Sequence, residues 1–125
     1  MRMMDTIWGQ DPADTIVDFL RLACKDLQIS NIPKITLLQE PLHTKESSSF
    51  AAYRPSAKEI MLFVKNRHIM DVLRSLCHEL VHYKQDIEGR LPQGAGATGS
   101  EQENEANAKA GIIMRKYGKI HPELF

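Results

Sequence analysis

The stretch Leu76-Cys77-His78-Glu79-Leu80-Val81-His82-Tyr83 contains the pattern His-Glu-x-x-His. Residues four apart lie one above the other on an α-helix, so a helix here would place the rings of His78 and His82 side by side. Two imidazoles arranged in this way can bind one zinc ion, while Glu79, one position around the helix, reaches a metal-bound water. The pattern is short, so its meaning depends on the residues around it.

The residues that flank the motif repeat with the period of an α-helix. At about 100° per residue, one apolar stripe contains Ile69, Leu73, Leu76, Leu80 and Ile87. His78 and His82 fall on the opposite side, and Glu79 lies between the two faces. Gly89 follows the stripe, at a position where helices often end in a left-handed residue. These positions predict an amphipathic helix that carries the motif on its polar side; the alternative is a pair of surface histidines without a ligand.

Composition limits the class of protein. A chain of 125 residues predicts one domain, over residues 1–125, and sixteen basic residues balance sixteen acidic ones. This balance argues against general binding to nucleic acid or to an anionic membrane. No apolar run has the length of a signal peptide core or a bilayer span. We therefore expect a cytoplasmic protein in which Cys24 and Cys77 are reduced, buried thiols.

Upstream of the motif, the sequence predicts one helix and three strands. Residues 11–28 have helical spacing of apolar positions. Residues 34–39, 50–54 and 59–65 have strand character, and the last two predict a hairpin because four turn-prone residues separate them. Asn66 would cap the motif helix. This order of elements predicts an α+β fold.

Downstream of the motif, residues 92–100 are rich in glycine and predict a flexible loop that borders the active site. A phosphate-binding loop is excluded because the stretch lacks Gly-Lys-Ser/Thr. Residues 101–117 predict a final helix, in which Ser100 and Glu103 form a capping box and which Gly118 ends.

A catalytic zinc site needs a third protein ligand and an open position for water. The continuation His-x-x-Gly-x-x-His is absent, because Gln85 and Glu88 stand where glycine and histidine would be. A glutamate from the final helix is the other solution. Glu105 lies a full turn inside a helix that is apolar on more than one side, where a carboxylate is costly unless it is paired or metal-bound. Glu103 is explained by capping and Glu101 by a frayed end, while a solvated acidic helix start remains the alternative for all three.

The segments 78–82 and 103–110, the second reading Glu-Asn-Glu-Ala-Asn-Ala-Lys-Ala, together resemble the ImmA/IrrE family of small gluzincin zinc metallopeptidases. SprT-like proteases are more distant relatives in this comparison. The resemblance covers roughly residues 50–112, and only the two motifs are specific. It implies a compact zincin-like domain with an N-terminal helix, a small three-stranded sheet, the motif helix and a C-terminal helix that bears the third ligand.

The resemblance also implies roles for single residues. It maps the third zinc ligand to Glu105, the glutamate directly before Ala-Asn. Larger gluzincins carry an acid four residues after that glutamate, which supports a zinc-bound histidine. Lys109 occupies this position here. Other residues are therefore considered as partners of the zinc-bound histidines, namely Asn104, Asn107, Ser75 and Asp86.

The function expected from the motif and the resemblance is zinc-dependent hydrolysis of peptide bonds in a protein or peptide substrate. Zn²⁺ held by His78, His82 and Glu105 lowers the pKa of its water to about 7. Glu79 acts as the general base and passes the proton to the leaving amine. A further donor stabilises the oxyanion, and the candidates are Tyr53, Tyr83, Tyr117 and His121. By resemblance, the substrate pairs with an edge strand at residues 59–64.

Two other functions remain open. The first is a zinc-binding regulatory or scaffold protein without proteolytic activity, whose zinc is structural. Structural sites usually close with four protein ligands, so Asp86 or a cysteine as the fourth ligand would favour it. The second is a protease that cleaves a transcriptional repressor, which the resemblance allows. A regulatory protein partner would then control it.

Overall fold

The computed structural model describes residues 12–39, 42–43, 48–90 and 101–124. The helices are α1 (Pro12–Leu27), α2 (Ile69–Ile87) and α3 (Glu101–Ile120), followed by a 3₁₀ helix (Pro122–Leu124). The strands are β1 (Lys34–Leu38), β2 (Leu42–His43), β3 (Ser48–Ser49), β4 (Ala51–Arg54) and β5 (Glu59–Phe63). The predicted α+β class is confirmed. The glycine-rich loop at 92–100 and its Ser100 lie outside the described residues.

The main sheet has three strands in the order β1–β5–β4. β5 runs parallel to β1 and antiparallel to β4, which confirms the predicted β4–β5 hairpin. Ile60 and Leu62 of β5 are fully buried, as expected for a central strand. Because β5 has a neighbour on each side, the expected substrate-pairing edge at 59–64 is wrong. β2 and β3 form a separate two-stranded antiparallel hairpin.

α2 is the central helix of the core. The four predicted apolar positions Ile69, Leu73, Leu76 and Leu80 are fully buried. Ile87 is instead 47% exposed, because it is the last residue of the helix. The side of α2 opposite this stripe is not a solvated face, since α3 packs along it and His82 is only 7% exposed. The helix pair α2–α3 therefore encloses the motif.

The ends of α2 and α3 agree with the prediction at Gly89 and differ from it at Asn66 and Gly118. His68, not Asn66, caps α2: its Nδ1 accepts a hydrogen bond from the backbone N–H of Met70 at 3.0 Å. Asn66 lies in the preceding turn with a left-handed φ of 59°. Gly89 ends α2 as predicted, with φ 73°. Gly118 does not end α3, which continues to Ile120.

Both cysteines are free and buried, as the sequence predicts. Burial raises the pKa of the Cys77 thiol to about 12, and the neighbouring Cys24 adds to this effect. In the described part of the chain, no helix has the length and apolar character that a membrane span requires.

Candidate metal centre

Three side chains from two helices converge between α2 and α3. His78 Nε2 lies 2.6 Å from Glu103 Oε1, and His82 Nε2 lies 3.2 Å from Glu103 Oε2. The two imidazole rings meet edge to face with centroids 4.9 Å apart. Within the described residues, this is the one group of three or more His, Cys, Asp or Glu side chains that could hold a metal ion. Its three potential ligand atoms all lie within 4.8 Å of one another.

The donor set fits a catalytic zinc site. Two ligand atoms at 2.0–2.1 Å from a tetrahedral zinc ion lie about 3.3 Å apart. The separation of 3.2 Å between His82 and Glu103 matches this value, whereas that of 2.6 Å between His78 and Glu103 would have to open slightly. Two histidines and one glutamate form the ligand set of several zinc peptidases and leave a position open. Asp86, considered as a fourth ligand, instead binds the Tyr53 hydroxyl and the Lys58 ammonium group.

The structure brings Glu103 to the histidines in place of Glu105, the ligand that the resemblance implied. Residues two apart on a helix point about 200° away from each other, so only one of the two carboxylates can reach the rings of His78 and His82. Glu105 accepts hydrogen bonds from Gln85 Nε2 at 2.7 Å and from Arg90 at 3.2 Å. The hydrogen bond from Gln85 is the main factor that lowers the pKa of Glu105, and it outweighs the opposing effect of burial.

Gln85 orients the ring of His82. Its side chain is fully buried, and its Nε2 donates to the carbonyl oxygen of Gln102 at 3.0 Å and to Glu105 Oε1 at 2.7 Å. Both contacts are with acceptors, so the amide oxygen must be the atom that faces His82 Nδ1 at 2.9 Å. An amide oxygen only accepts, and Nδ1 of His82 therefore carries a proton. In the neutral ring this leaves the Nε2 lone pair directed at the metal centre.

His78 has its own partner on α3. Its ring hydrogen bonds with the side chain of Asn107, one of the partners considered from the sequence. Asn107 follows Glu103 by four residues and therefore lies on the same face of α3. Burial lowers the pKa of His78 despite the opposing effect of the Glu103 carboxylate. Burial thus favours the neutral ring, the state in which imidazole binds metal.

Glu79 lies where α2 meets β4, which is an edge strand of the sheet among the described residues. Together with His78, it lines a cavity of about 660 Å³. The backbone N–H of Tyr53 in β4 donates a hydrogen bond to its carboxylate. Burial, reinforced by the Glu103 carboxylate, raises the pKa of Glu79 to about 7, although His82 and the Tyr53 N–H act in the opposite direction. A carboxyl group with a pKa near neutrality can both accept and return a proton.

The four side chains expected to stabilise an oxyanion form two pairs, with ring centroids 5.8 Å apart for Tyr53 and Tyr83 and 4.7 Å apart for Tyr117 and His121. Tyr83 donates its hydroxyl to the carbonyl oxygen of Asn31 at 2.7 Å. The Tyr117 hydroxyl and the His121 ring both bind Asp18, at 3.0 and 3.2 Å. Along α3, Tyr117 lies about 21 Å from Glu103, because each residue advances 1.5 Å. These three expectations are therefore corrected.

Tyr53 is the one of the four that adjoins the site. Its backbone contacts Glu79, and its hydroxyl donates to Asp86, one helical turn beyond His82. Its role as an oxyanion donor stays a prediction.

The sequence-based assignment did not include Glu103 as a ligand or Gln85 as a partner of His82, although the sequence contains a spacing signal for each. Glu103 precedes the buried α3 positions Ala106, Ala110, Ile113 and Tyr117 at spacings of three and four, so it continues their stripe by one turn. Gln85 follows His82 by three residues and therefore shares its face of α2.

Replacing Gln85 with leucine should weaken zinc binding by about 10–100-fold, the usual effect of losing a group that orients a ligand. Leucine keeps the volume but removes the acceptor that holds the His82 Nδ1–H. Competition with a chromophoric chelator measures the change. Gln102→Leu is the matched control, since the contact to Gln85 uses the backbone carbonyl of Gln102 and not its amide. Equal zinc affinities of Gln85→Leu and the control would contradict the orienting role.

Comparisons of the chain with protein-family models, with curated proteins and with solved structures found no match. The resemblance to the ImmA/IrrE family therefore stays a prediction. The function has to be argued from the chemistry of the site, because a fold class alone does not determine it.

Proposed function

We propose that this protein is a zinc-dependent metallopeptidase that hydrolyses peptide bonds in a protein or peptide substrate. The observation that carries the proposal is the convergence of His78, His82 and Glu103, together with an open cavity that His78 and Glu79 line. Zinc, when bound, would polarise the substrate carbonyl and lower the pKa of a bound water to about 7. The ligand set supports a catalytic site more than a structural one, because structural sites usually have four protein ligands.

Glu79 is the general base in this proposal. It accepts the proton of the attacking water and returns it to the leaving amine. The hydrogen bond from the Tyr53 N–H supports this role by holding the carboxylate in one orientation. The pKa near 7 supports it as well, since both protonation states are accessible at neutral pH. Proton transfer of this kind typically contributes about 10²–10⁴-fold to the rate.

The side of β4 that faces away from β5 is the proposed binding edge for an extended substrate. Phe63 donates its backbone N–H to the carbonyl of Phe50 at 2.9 Å, so these two residues form a hydrogen-bonded pair of the hairpin. Because such pairs alternate along antiparallel strands, Ala51 and Tyr53 turn their N–H and C=O groups away from β5, to the side where the Tyr53 N–H already donates to Glu79. Ala51 also lines the cavity beside Glu79. A substrate strand added at this edge would pass over Glu79 and the histidines.

The purified protein is expected to bind one zinc ion per chain and to hydrolyse an unfolded substrate such as casein. Elemental analysis measures the metal, and gel electrophoresis measures the hydrolysis. A chelator should stop hydrolysis, and added zinc should restore it. Failure to bind zinc under metal-replete conditions would overturn the proposal. Stoichiometric zinc without hydrolysis would favour the alternative of a zinc-binding regulatory or scaffold protein.

A further inference from the structure

The cavity continues beyond the metal centre along the amino-terminal half of α2. There its wall carries two arginines, Arg67 in the turn before the helix and Arg74 in its second turn. Neither contacts His78, His82 or Glu103 in the hydrogen bonds and ion pairs of the described residues. The proposed chemistry of hydrolysis does not use either of them.

Arg67 is held rigidly in the cavity wall by neutral groups. Its guanidinium donates to the carbonyl oxygens of Phe63 at 2.9 Å and Asp71 at 3.0 Å, and to Ser75 Oγ at 2.8 Å. It also lies over the ring of Phe50, 4.5 Å from the centroid. These contacts use three of the five N–H groups of a guanidinium. They fix the position of the group without neutralising its charge.

The outer part of the cavity carries a net positive charge. Its one acidic lining residue in the described chain is Asp71, whose carboxylate lies 3.7 Å from Arg74. Two arginines thus face one aspartate there, while Glu79 lies at the inner end. Burial lowers the pKa of Arg67, while the charge of Asp71 acts in the opposite direction.

The separation of the Arg67 guanidinium and Glu79 along the axis of α2 corresponds to one or two residues of extended peptide. Ser75, which binds Arg67, precedes Glu79 by four residues, or about 6 Å along α2. An extended peptide advances about 3.3 Å per residue. A substrate group that reaches the guanidinium would therefore lie one or two residues from the scissile bond.

We propose that this end of the cavity is a subsite for a substrate carboxylate, with Arg67 as its main ligand and Arg74 as the second. Guanidinium binds carboxylate through paired, charge-assisted hydrogen bonds. The proposal rests on the peptidase function and adds its substrate class: peptides with a carboxylate one or two residues from the cleaved bond. That carboxylate comes from an Asp or Glu side chain or from the carboxyl terminus of the peptide.

The test uses zinc-loaded protein and synthetic octapeptide pools built from Ala, Leu, Phe and Ser. The first arm tests side-chain carboxylates and uses amidated pools with Glu or Gln fixed at each position in turn. The second arm tests the terminal carboxylate and compares free with amidated carboxyl termini in pools without acidic residues. Mass spectrometry measures the cleaved bonds. A cleavage rate at least about tenfold higher with Glu than with Gln, one or two residues from the bond, identifies a side-chain carboxylate. A similar gain from the free terminus identifies a terminal one. No gain in either arm overturns the subsite.

Variants then test whether Arg67 and Arg74 cause the preference for a substrate carboxylate. Arg67→Gln and Arg74→Gln should each reduce the preference for the carboxylate, whereas Arg115→Gln on the exposed part of α3 removes the same charge and should leave it unchanged. If loss of the Arg67 contacts prevents Arg67→Gln from folding, the Arg74→Gln variant alone still tests the assignment. A preference that persists in both variants overturns the assignment.

A binding measurement separates this proposal from the peptidase function. The zinc-loaded Glu79→Gln protein should bind fluorescently labelled pools with the carboxylate at least about fivefold more tightly than the matched neutral pools. This difference is measured by anisotropy and does not require hydrolysis. If the wild-type protein cleaves nothing but the binding difference is present, the peptidase proposal fails and the carboxylate site stands. Equal binding of the two pools overturns the site.

Discussion

Zinc affinity is expected to fall by at least about 1,000-fold when Glu103 is replaced by glutamine, a larger loss than the 10–100-fold typical of residues that only orient ligands. Glu103 is the carboxylate that contacts Nε2 of both His78 and His82. A neutral amide cannot supply its negative charge, and carboxylate, imidazole and thiolate are the groups that bind zinc well. Competition titration against a chromophoric chelator measures the affinity, and hydrolysis should be lost in parallel.

Glu105→Gln is the matched control, because it makes the same chemical change two residues away. Glu105 acts on the centre only through Gln85, which holds His82. Its replacement should therefore weaken zinc binding by no more than about 10–100-fold. If Glu105→Gln had the larger effect, the ligand implied by the family resemblance would be correct and the arrangement around Glu103 would be overturned.

The contrast between these two glutamates shows what the sequence could determine. His78, Glu79 and His82 are positioned by a single helix, whose period relates them without any knowledge of the fold. The choice between Glu103 and Glu105 depends on how α3 is rotated against α2. Ile112 lies two turns after Glu105 on the same face of α3 and is 55% exposed, so the apolar character that the sequence assigns to this side of the helix does not face the core.

The sheet likewise has one local part that the sequence predicts and one long-range part that it does not. The β4–β5 hairpin is a local structure, predictable from two short strands and a turn-prone connection. The parallel pairing of β1 with β5 joins residues 25 apart, such as Lys34 and Glu59, and no local pattern encodes it. This long-range pairing makes β5 central and leaves β4 as the strand edge beside Glu79. The expectation about the binding edge failed for this reason.

Replacing Glu79 with glutamine is expected to reduce hydrolysis by about 10²–10⁴-fold while zinc is retained. Glutamine keeps the size of the side chain and an oxygen that can accept the Tyr53 hydrogen bond, but it cannot take up a proton. Zinc content and the rate of casein hydrolysis are measured on the same preparation. Glu101→Gln, at the exposed start of α3, is the charge-matched control and should retain the wild-type rate. A Glu79→Gln protein that hydrolyses at the wild-type rate would exclude Glu79 as the base.

The same substitution is expected to stabilise the metal-free protein at neutral and alkaline pH. Burial raises the pKa of Glu79 from an ordinary value of 4.5 to about 7. Between these values the unfolded chain loses the proton while the folded protein keeps it, so stability falls as the pH rises from about 4.5 to about 7. Glutamine has no proton to lose, and above pH 7 the variant gains up to about 3 kcal/mol over the wild type. Urea unfolding at pH 4, 6 and 8 measures the gain. A difference between the two proteins that is the same at all three values would show that the folded protein does not raise this pKa.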